Sequence, residues 1–109
     1  MKRLIALLVA SLVAAQSSAA VWTNGSQTVA NIIWVPGAQG FYAGAFHDPE
    51  NCGGTAQRLY LFDPAMEEKT VDRLYAMILT AAAMGKPLHV WVEGCIGSVP
   101  KVKGLQLNN

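Results

Sequence analysis

The side chains that could do chemistry fall into two short runs, His47-Asp48-Pro49-Glu50-Asn51-Cys52 and His89-Val90-Trp91-Val92-Glu93-Gly94-Cys95. A cysteine paired with His47 or His89 would be a nucleophile only as a reduced thiolate. A metal would need ligands at C-x-x-C or H-x-x-x-H spacing, which this sequence lacks. Asp48 and Glu50 are close enough in sequence to suggest a carboxylate pair. Flanking a turn proline, however, they read as solvated turn residues. No Ser-His-Asp order and no phosphate-binding loop stands out. So few polar constellations point to a binding protein rather than an enzyme, and to no cofactor.

The second run offers recognition chemistry. If Leu88, Val90 and Val92 point inward from a strand, His89, Trp91 and Glu93 point outward by the two-residue period. An indole beside an imidazole and a carboxylate suits a sugar, whose apolar ring face stacks on the indole while polar neighbours take its hydroxyls. Trp91 at a subunit interface or under a loop is the competing assignment. Trp34 and Tyr42 read as core residues.

The elements that must position these residues begin with a helix from Asp63-Pro64 to Gly85-Lys86-Pro87. Asp63 caps it, Pro64 starts at helical φ, Glu67 and Glu68 complement the dipole, and Gly85 with Pro87 ends it. Val71, Leu74, Tyr75, Ile78, Leu79 and Ala82 recur at the spacing of one buried face. The other side carries Arg73, Met77, Thr80 and Met84, and no charge lies between Arg73 and Lys86. A helix packed on one face only carries charge on its back. This one is expected to bury both faces, against loops of its own or against another chain.

The remaining strands are expected over 27–35, 41–46, 57–62, 88–92 and 99–107, with turns at 36–40, 47–54 and 94–98. Lys101 and Lys103 alternate on a solvated strand face. The start of the chain is read as a secretory signal peptide over residues 1–20. Its parts are a basic Met1-Lys2-Arg3, an apolar run from Leu4 to Ala15, and a small-residue cleavage site ending at Ala20. Residues 21–109 then form one domain, exported by a bacterium to the periplasm or the medium, with no second run long enough to span a bilayer. Without Lys2 and Arg3, six basic residues face seven acidic ones, so no basic patch invites nucleic acid. In an oxidising compartment Cys52 and Cys95 are expected to pair, and closing so long a loop stabilises by roughly 4 kcal/mol.

Three strands, a helix and two strands make a mainly β chain with one helix. This order, β-β-β-α-β-β, is that of the five-stranded oligonucleotide/oligosaccharide-binding (OB) barrel. Its usual binding surfaces would fall at Pro36 to Gly40 and Gly94 to Ser98. Several segments carry a closer likeness. They are Trp22-Thr23 after the leader, the strand Asn31 to Val35, the helix run Arg73-Leu74-Tyr75, the stretch Gly85-Lys86-Pro87-Leu88-His89-Val90-Trp91, and the close from Val99 to Leu107. Together they resemble the B subunits of subtilase-cytotoxin and pertussis-like AB5 toxins. That resemblance implies a homo-pentameric ring with the helices lining its pore, a glycan-binding face, and a toxin A subunit as partner. It places a sugar-contacting serine in the early strands, where Ser26 lies. Such a ring would also account for the outer helical stripe of Arg73, Met77, Thr80 and Met84, expected on its own pattern to be an interface between copies. The chain departs from the group in having no cysteine on its second strand. The alternative is a monomeric periplasmic protein of the same fold, acting on the envelope or inhibiting a protein partner.

Overall fold

The computed structural model describes residues 20–108. The expected leader, apart from Ala20, lies outside the described residues. The protein is mainly β with one helix. In chain order the elements are β1 (Val21–Trp22), β2 (Val29–Val35), β3 (Ala38–Ala43), β4 (Leu59–Phe62), α1 (Glu68–Met84), β5 (Leu88–Ile96) and β6 (Val99–Leu107). They build one barrel-like sheet in the order β1-β5-β6-β4-β3-β2, antiparallel throughout except where β4 runs parallel to β6.

Inward residues follow the two-residue period. Phe41 and Ala43 on β3, Tyr60 and Phe62 on β4, Leu88, Val90 and Val92 on β5, and Val102 on β6 are buried together. Val71, Leu74, Ile78 and Ala81 of α1 close this core, each buried aliphatic or aromatic side chain contributing roughly 1.5–3 kcal/mol. The helix packs against β2 and β6. Tyr75 adds a hydroxyl that donates to the Ile33 carbonyl, tying helix to sheet, and burial raises its phenol pKa.

The sheet stays open, yet its two ends are held by neighbouring residues of one segment. The Gln27 carbonyl accepts the Leu88 amide at 2.9 Å, on the β5 side, while the Thr28 carbonyl accepts the Gly44 amide at 2.8 Å, just beyond β3. Between β1 and β2 the chain thus crosses from one end of the sheet to the other. Two buried polar side chains support the crossing. Thr23 Oγ1 donates to Gln27 Oε1 at 2.6 Å and accepts the Val90 amide at 2.8 Å, and Gln27 Nε2 donates to Asn24 Oδ1 at 2.8 Å. Gln27 is completely buried. It is tolerated there because its carbonyl and amide both have partners.

Several expectations change. The helix starts at Glu68, not at Asp63-Pro64, because Asp63 uses Oδ1 to accept the Ala65 amide at 2.9 Å and its carbonyl to accept that of Met66. That turn directs Met66 onto the core before the first helical bond, from Val71 to Glu67, can form. The buried helical face runs through Ala81, leaving Leu79 57% exposed and Ala82 exposed as well, while Met77 packs partly against the core instead of lying in the outer stripe. The second strand spans 38–43 and not 41–46, because Pro36-Gly37 alone makes the hairpin turn. The expected loop 94–98 is strand as far as Ile96. Gly94, at φ 71°, absorbs an irregularity of register between Val92 and Cys95 that would strain any other residue. A sixth strand, β1, joins the five expected ones.

The disulfide between Cys52 and Cys95 is present, with a Cα–Cα distance of 5.7 Å. It fastens the 44–58 connection to β5, helped by Glu50 Oε1, which accepts the Gly94 amide at 3.2 Å. Tyr60 anchors the other end of that connection, its hydroxyl donating to the His47 carbonyl at 2.6 Å. Burial, more than any charge nearby, raises the pKa of that phenol.

Replacing Gln27 by Ala strands the Thr23 hydroxyl and opens a cavity. The expected cost is about 2–4 kcal/mol, measured by urea unfolding, whereas Gln27→Glu at low pH, where the new carboxyl is neutral, should recover part of it. The second prediction concerns Asp63, whose carboxylate accepts the Lys103 ammonium at 2.6 Å. That bond, and next the Ala65 amide, hold the Asp63 pKa below its ordinary value. A carboxyl pKa lowered by folding stabilises above the unfolded value and loses that contribution as pH falls through the folded one. The wild type should therefore be more stable than Asp63→Asn at neutral pH, and the gap should close in strongly acid solution.

Candidate functional site

An aromatic platform lies on the outer face of the β1–β5 pair. The register places Trp22 directly opposite Trp91, and the two indoles stack at 5.8 Å between centroids with their planes 19° apart. Trp22 is 45% exposed and Trp91 40%. Cross-strand aromatic neighbours of this kind gain roughly 0.5–1.5 kcal/mol beyond area burial, so the pair is held in place before any ligand arrives. Trp91 also lies over Gly104, its partner on β6, where an added Cβ would come within 3.3 Å of the indole. A side chain at 104 would crowd the indole, which would have to shift slightly.

His89 presents its ring edge-on to Trp22, with centroids 6.3 Å apart and planes at 84°. Its Nδ1 lies 2.9 Å from Asn108 Oδ1, while Asn108 Nδ2 donates to the Gly25 carbonyl. With the Asn108 amide so engaged, its oxygen faces His89 Nδ1 as the acceptor. Nε2 then faces Gly25. That position has φ 81°, and a Cβ there would run into the imidazole. Gly25 is thus required both by its backbone and by the ring beneath it.

The alternation expected along this strand is present. His89, Trp91 and Glu93 do point outward while Leu88, Val90 and Val92 are buried. Glu93 is half-buried, and its charge adds the smallest contribution to raising the Lys103 pKa, which is set first by the hydrogen bond that Lys103 donates to Asp63. Ser26 lies in the loop beside Gly25, but its Oγ donates to Asn24 Oδ1 at 2.7 Å. Its hydroxyl shapes that loop and is only secondarily open to a ligand. Trp22, Asn108 and Gly25 are the residues the chemistry-first reading passed over. A two-residue strand carries no periodicity, and the only signal for Trp22 was an indole at the start of the domain.

Of the outer helical stripe, Arg73, Thr80 and Met84 are exposed, and Thr80 Oγ1 donates back to the Ala76 carbonyl at 2.9 Å. Trp34 is not a core residue: it is 62% exposed and lines a groove with Gln39, Pro64, Met66, Glu68, Val71 and Asp72. His47 Nδ1 accepts the Asn24 amide at 3.0 Å, which places this imidazole in the frame below the platform. Asp48 accepts the Gly53 amide through Oδ2, while its buried Oδ1 has no partner among the described residues. No cluster of three or more His, Cys, Asp and Glu among the described residues could hold a metal ion. No described helix is long and apolar enough to cross a membrane.

Set against protein-family profiles, curated protein sequences and solved structures, the chain matches none of them, so its functional reading rests on its own residues.

Proposed function

We propose that this chain is an exported, non-enzymatic carbohydrate-binding protein whose sugar platform is Trp22 and Trp91, with His89 and Glu93 as polar neighbours. The observation that carries the reading is the stacked pair of half-exposed indoles, fixed by strand register on a rigid β face. Leaving part of two large aromatic surfaces in water forgoes a share of the roughly 1.5–3 kcal/mol that full burial of a large apolar side chain brings. A flat apolar ligand face with hydroxyls at its rim recovers that loss, and a pyranose ring is such a ligand. The stack forms a stepped surface, and the imidazole edge and the Glu93 carboxylate lie within the same outer row of β5.

The likeness to toxin B subunits adds assembly as a ring of five, with a toxin A subunit as its partner. One observation favours assembly: the outer side of α1 carries exposed Leu79 and Met84 and no charge from Ala76 to Met84. Its size sets a limit. A 17-residue helix is about 26 Å long, and a strip of it about 10 Å wide offers on the order of 250 Å². A stable interface buries about 800 Å² per partner. The helix is therefore one part of any ring interface, and surface beyond it must supply the remainder.

Two measurements test these readings. In a glycan-array screen followed by calorimetry on the best saccharide, Trp91→Ala and Trp22→Ala should each weaken binding at least about tenfold. Absence of any glycan binding by the oxidised protein, or indifference to both substitutions, removes the platform. For assembly, light scattering should give a pentamer that dissociates with Leu79→Glu. Leu79 suits this better than Met77, whose packing on the core would mix folding with association. A monomer at all concentrations leaves the single-domain envelope protein as the reading.

A further inference from the structure

At the far end of the sheet from the platform, β2 has a neighbour on one side only. Its pairing with β3 sets which backbone groups are free. Val35 and Ala38 flank the two-residue turn and bond to each other, so Trp34 opposite Gln39, and Ile32 opposite Phe41, turn their N–H and C=O away from β3. Proteins usually guard such an edge with lysine, proline or a covering segment. Val29-Ala30-Asn31-Ile32-Ile33-Trp34-Val35 contains no charge and no proline, and Ile32, Trp34 and Val35 are exposed.

A groove begins at this edge. Trp34, Met66, Pro64 and Val71 form its apolar walls, with Gln39, Glu68 and Asp72 as its polar groups, over a volume of about 290 Å³. A second hollow of about 210 Å³ continues it past Phe62 and Gly37, sharing Gln39, Pro64, Met66 and Val71. Each is smaller than the range of roughly 300–1,000 Å³ typical of sites for whole small molecules, and suits a single long side chain. Charge decides which one. Glu68 and Asp72 have no ion-pair partner among the described residues, whereas Asp63, at the far rim, is already paired with Lys103. An anionic group would be repelled, and an apolar one would desolvate two carboxylates with nothing to compensate them. A cation on an aliphatic stem satisfies both walls, its stem on Met66 and Val71 and its head against the carboxylates and the Trp34 face.

We propose that the free edge of β2, with the adjoining groove, binds an extended peptide segment that carries lysine or arginine. The segment adds to the sheet as a further strand, taking up the outward amides and carbonyls of Ile32 and Trp34. A residue of the added strand facing Trp34 on the same side of the sheet lies within side-chain reach of it. Its cationic side chain runs past the indole toward Glu68 and Asp72. Main-chain bonds supply affinity, and the groove selects the charge. This site is independent of the saccharide platform, and either can fail alone.

The test uses the whole oxidised protein, labelled with ¹⁵N, and a blocked Val-Thr-Val-Lys-Val-Thr-Val peptide. The comparison peptide has glutamate in place of lysine. The lysine peptide should shift the Trp34 indole signal and slow amide exchange at Ile32 and Trp34. The combined Glu68→Gln and Asp72→Asn substitutions, both at exposed positions, should weaken it roughly tenfold, the worth of two partly exposed charge contacts. Raised salt should act in the same direction, and Trp22→Ala should leave the affinity unchanged. Equal binding of the glutamate peptide, or no effect of the double substitution, overturns the proposal. Protection of the Ile32 and Trp34 amides before any peptide is added also overturns it, since a second copy of the chain would then occupy the edge.

Discussion

The structure depends on the crossing at Thr23 to Thr28. There a single stretch of backbone bonds β5 on one side and the segment after β3 on the other, so the two ends of an open sheet are held a residue apart. Gln27 makes the crossing specific. An apolar side chain of similar volume would bury as well, but it would not hold Thr23 Oγ1 where it accepts the Val90 amide. Polar groups in a core cost free energy unless every one is paired, and here the pairing itself dictates which strand lies beside which. The platform inherits that rigidity, because Trp22 immediately precedes Thr23 and its register with Trp91 continues the Thr23–Val90 bonds.

The molecule divides its exposed aromatic surface between the two ends of the sheet. Trp22 and Trp91 lie at one end, stacked on each other; Trp34 lies at the other, on the rim of a groove that carries two carboxylates. Residue type alone does not separate them, since all three are tryptophans on strands. What separates them is the neighbour: an imidazole edge and a glycine floor in one case, two carboxylates and a free strand edge in the other. The disulfide and the Glu50 bond to Gly94 keep the long 44–58 connection against β5, so neither surface is covered by it.

Much of this was legible in the sequence where periodicity and end signals agreed. The strand 99–107 has the bounds expected of it, the helix ends at Gly85, which adopts the left-handed conformation, and Cys52 pairs with Cys95. Inward Leu88, Val90 and Val92 followed from simple alternation, and with them the outward His89, Trp91 and Glu93. Where the reading slipped, a long-range contact overrode a local signal. Asp63 has the type of a helix cap, but its carboxylate is held by Lys103 forty residues away and its backbone turns to bury Met66. Leu79 fits the apolar spacing of the helix, yet the face turned to the core runs through Val71, Leu74, Ile78 and Ala81 and leaves it outside. Trp34 reads in the sequence as a core residue and is exposed instead, because whether an indole on an edge strand is covered depends on the elements around it and not on its type.

The parallel pairing of β4 with β6 rests on two residue pairs, Leu61 with Lys101 and Phe62 with Val102, whereas the β2–β3 and β5–β6 hairpins are long. The chain is therefore two locally wound ribbons, β2-β3-β4 and β5-β6, joined by contacts that are all distant in sequence. Each ribbon can wind quickly by itself, but their docking must overcome the loop-closure entropy of the whole intervening chain, which slows folding in proportion to contact order. A covalent link from Cys52 to Cys95 ties one ribbon to the other across that gap. Oxidation early in the life of the chain would thus shorten the search, making the redox state of its surroundings a control on how fast it reaches its native form as well as on how long it keeps it.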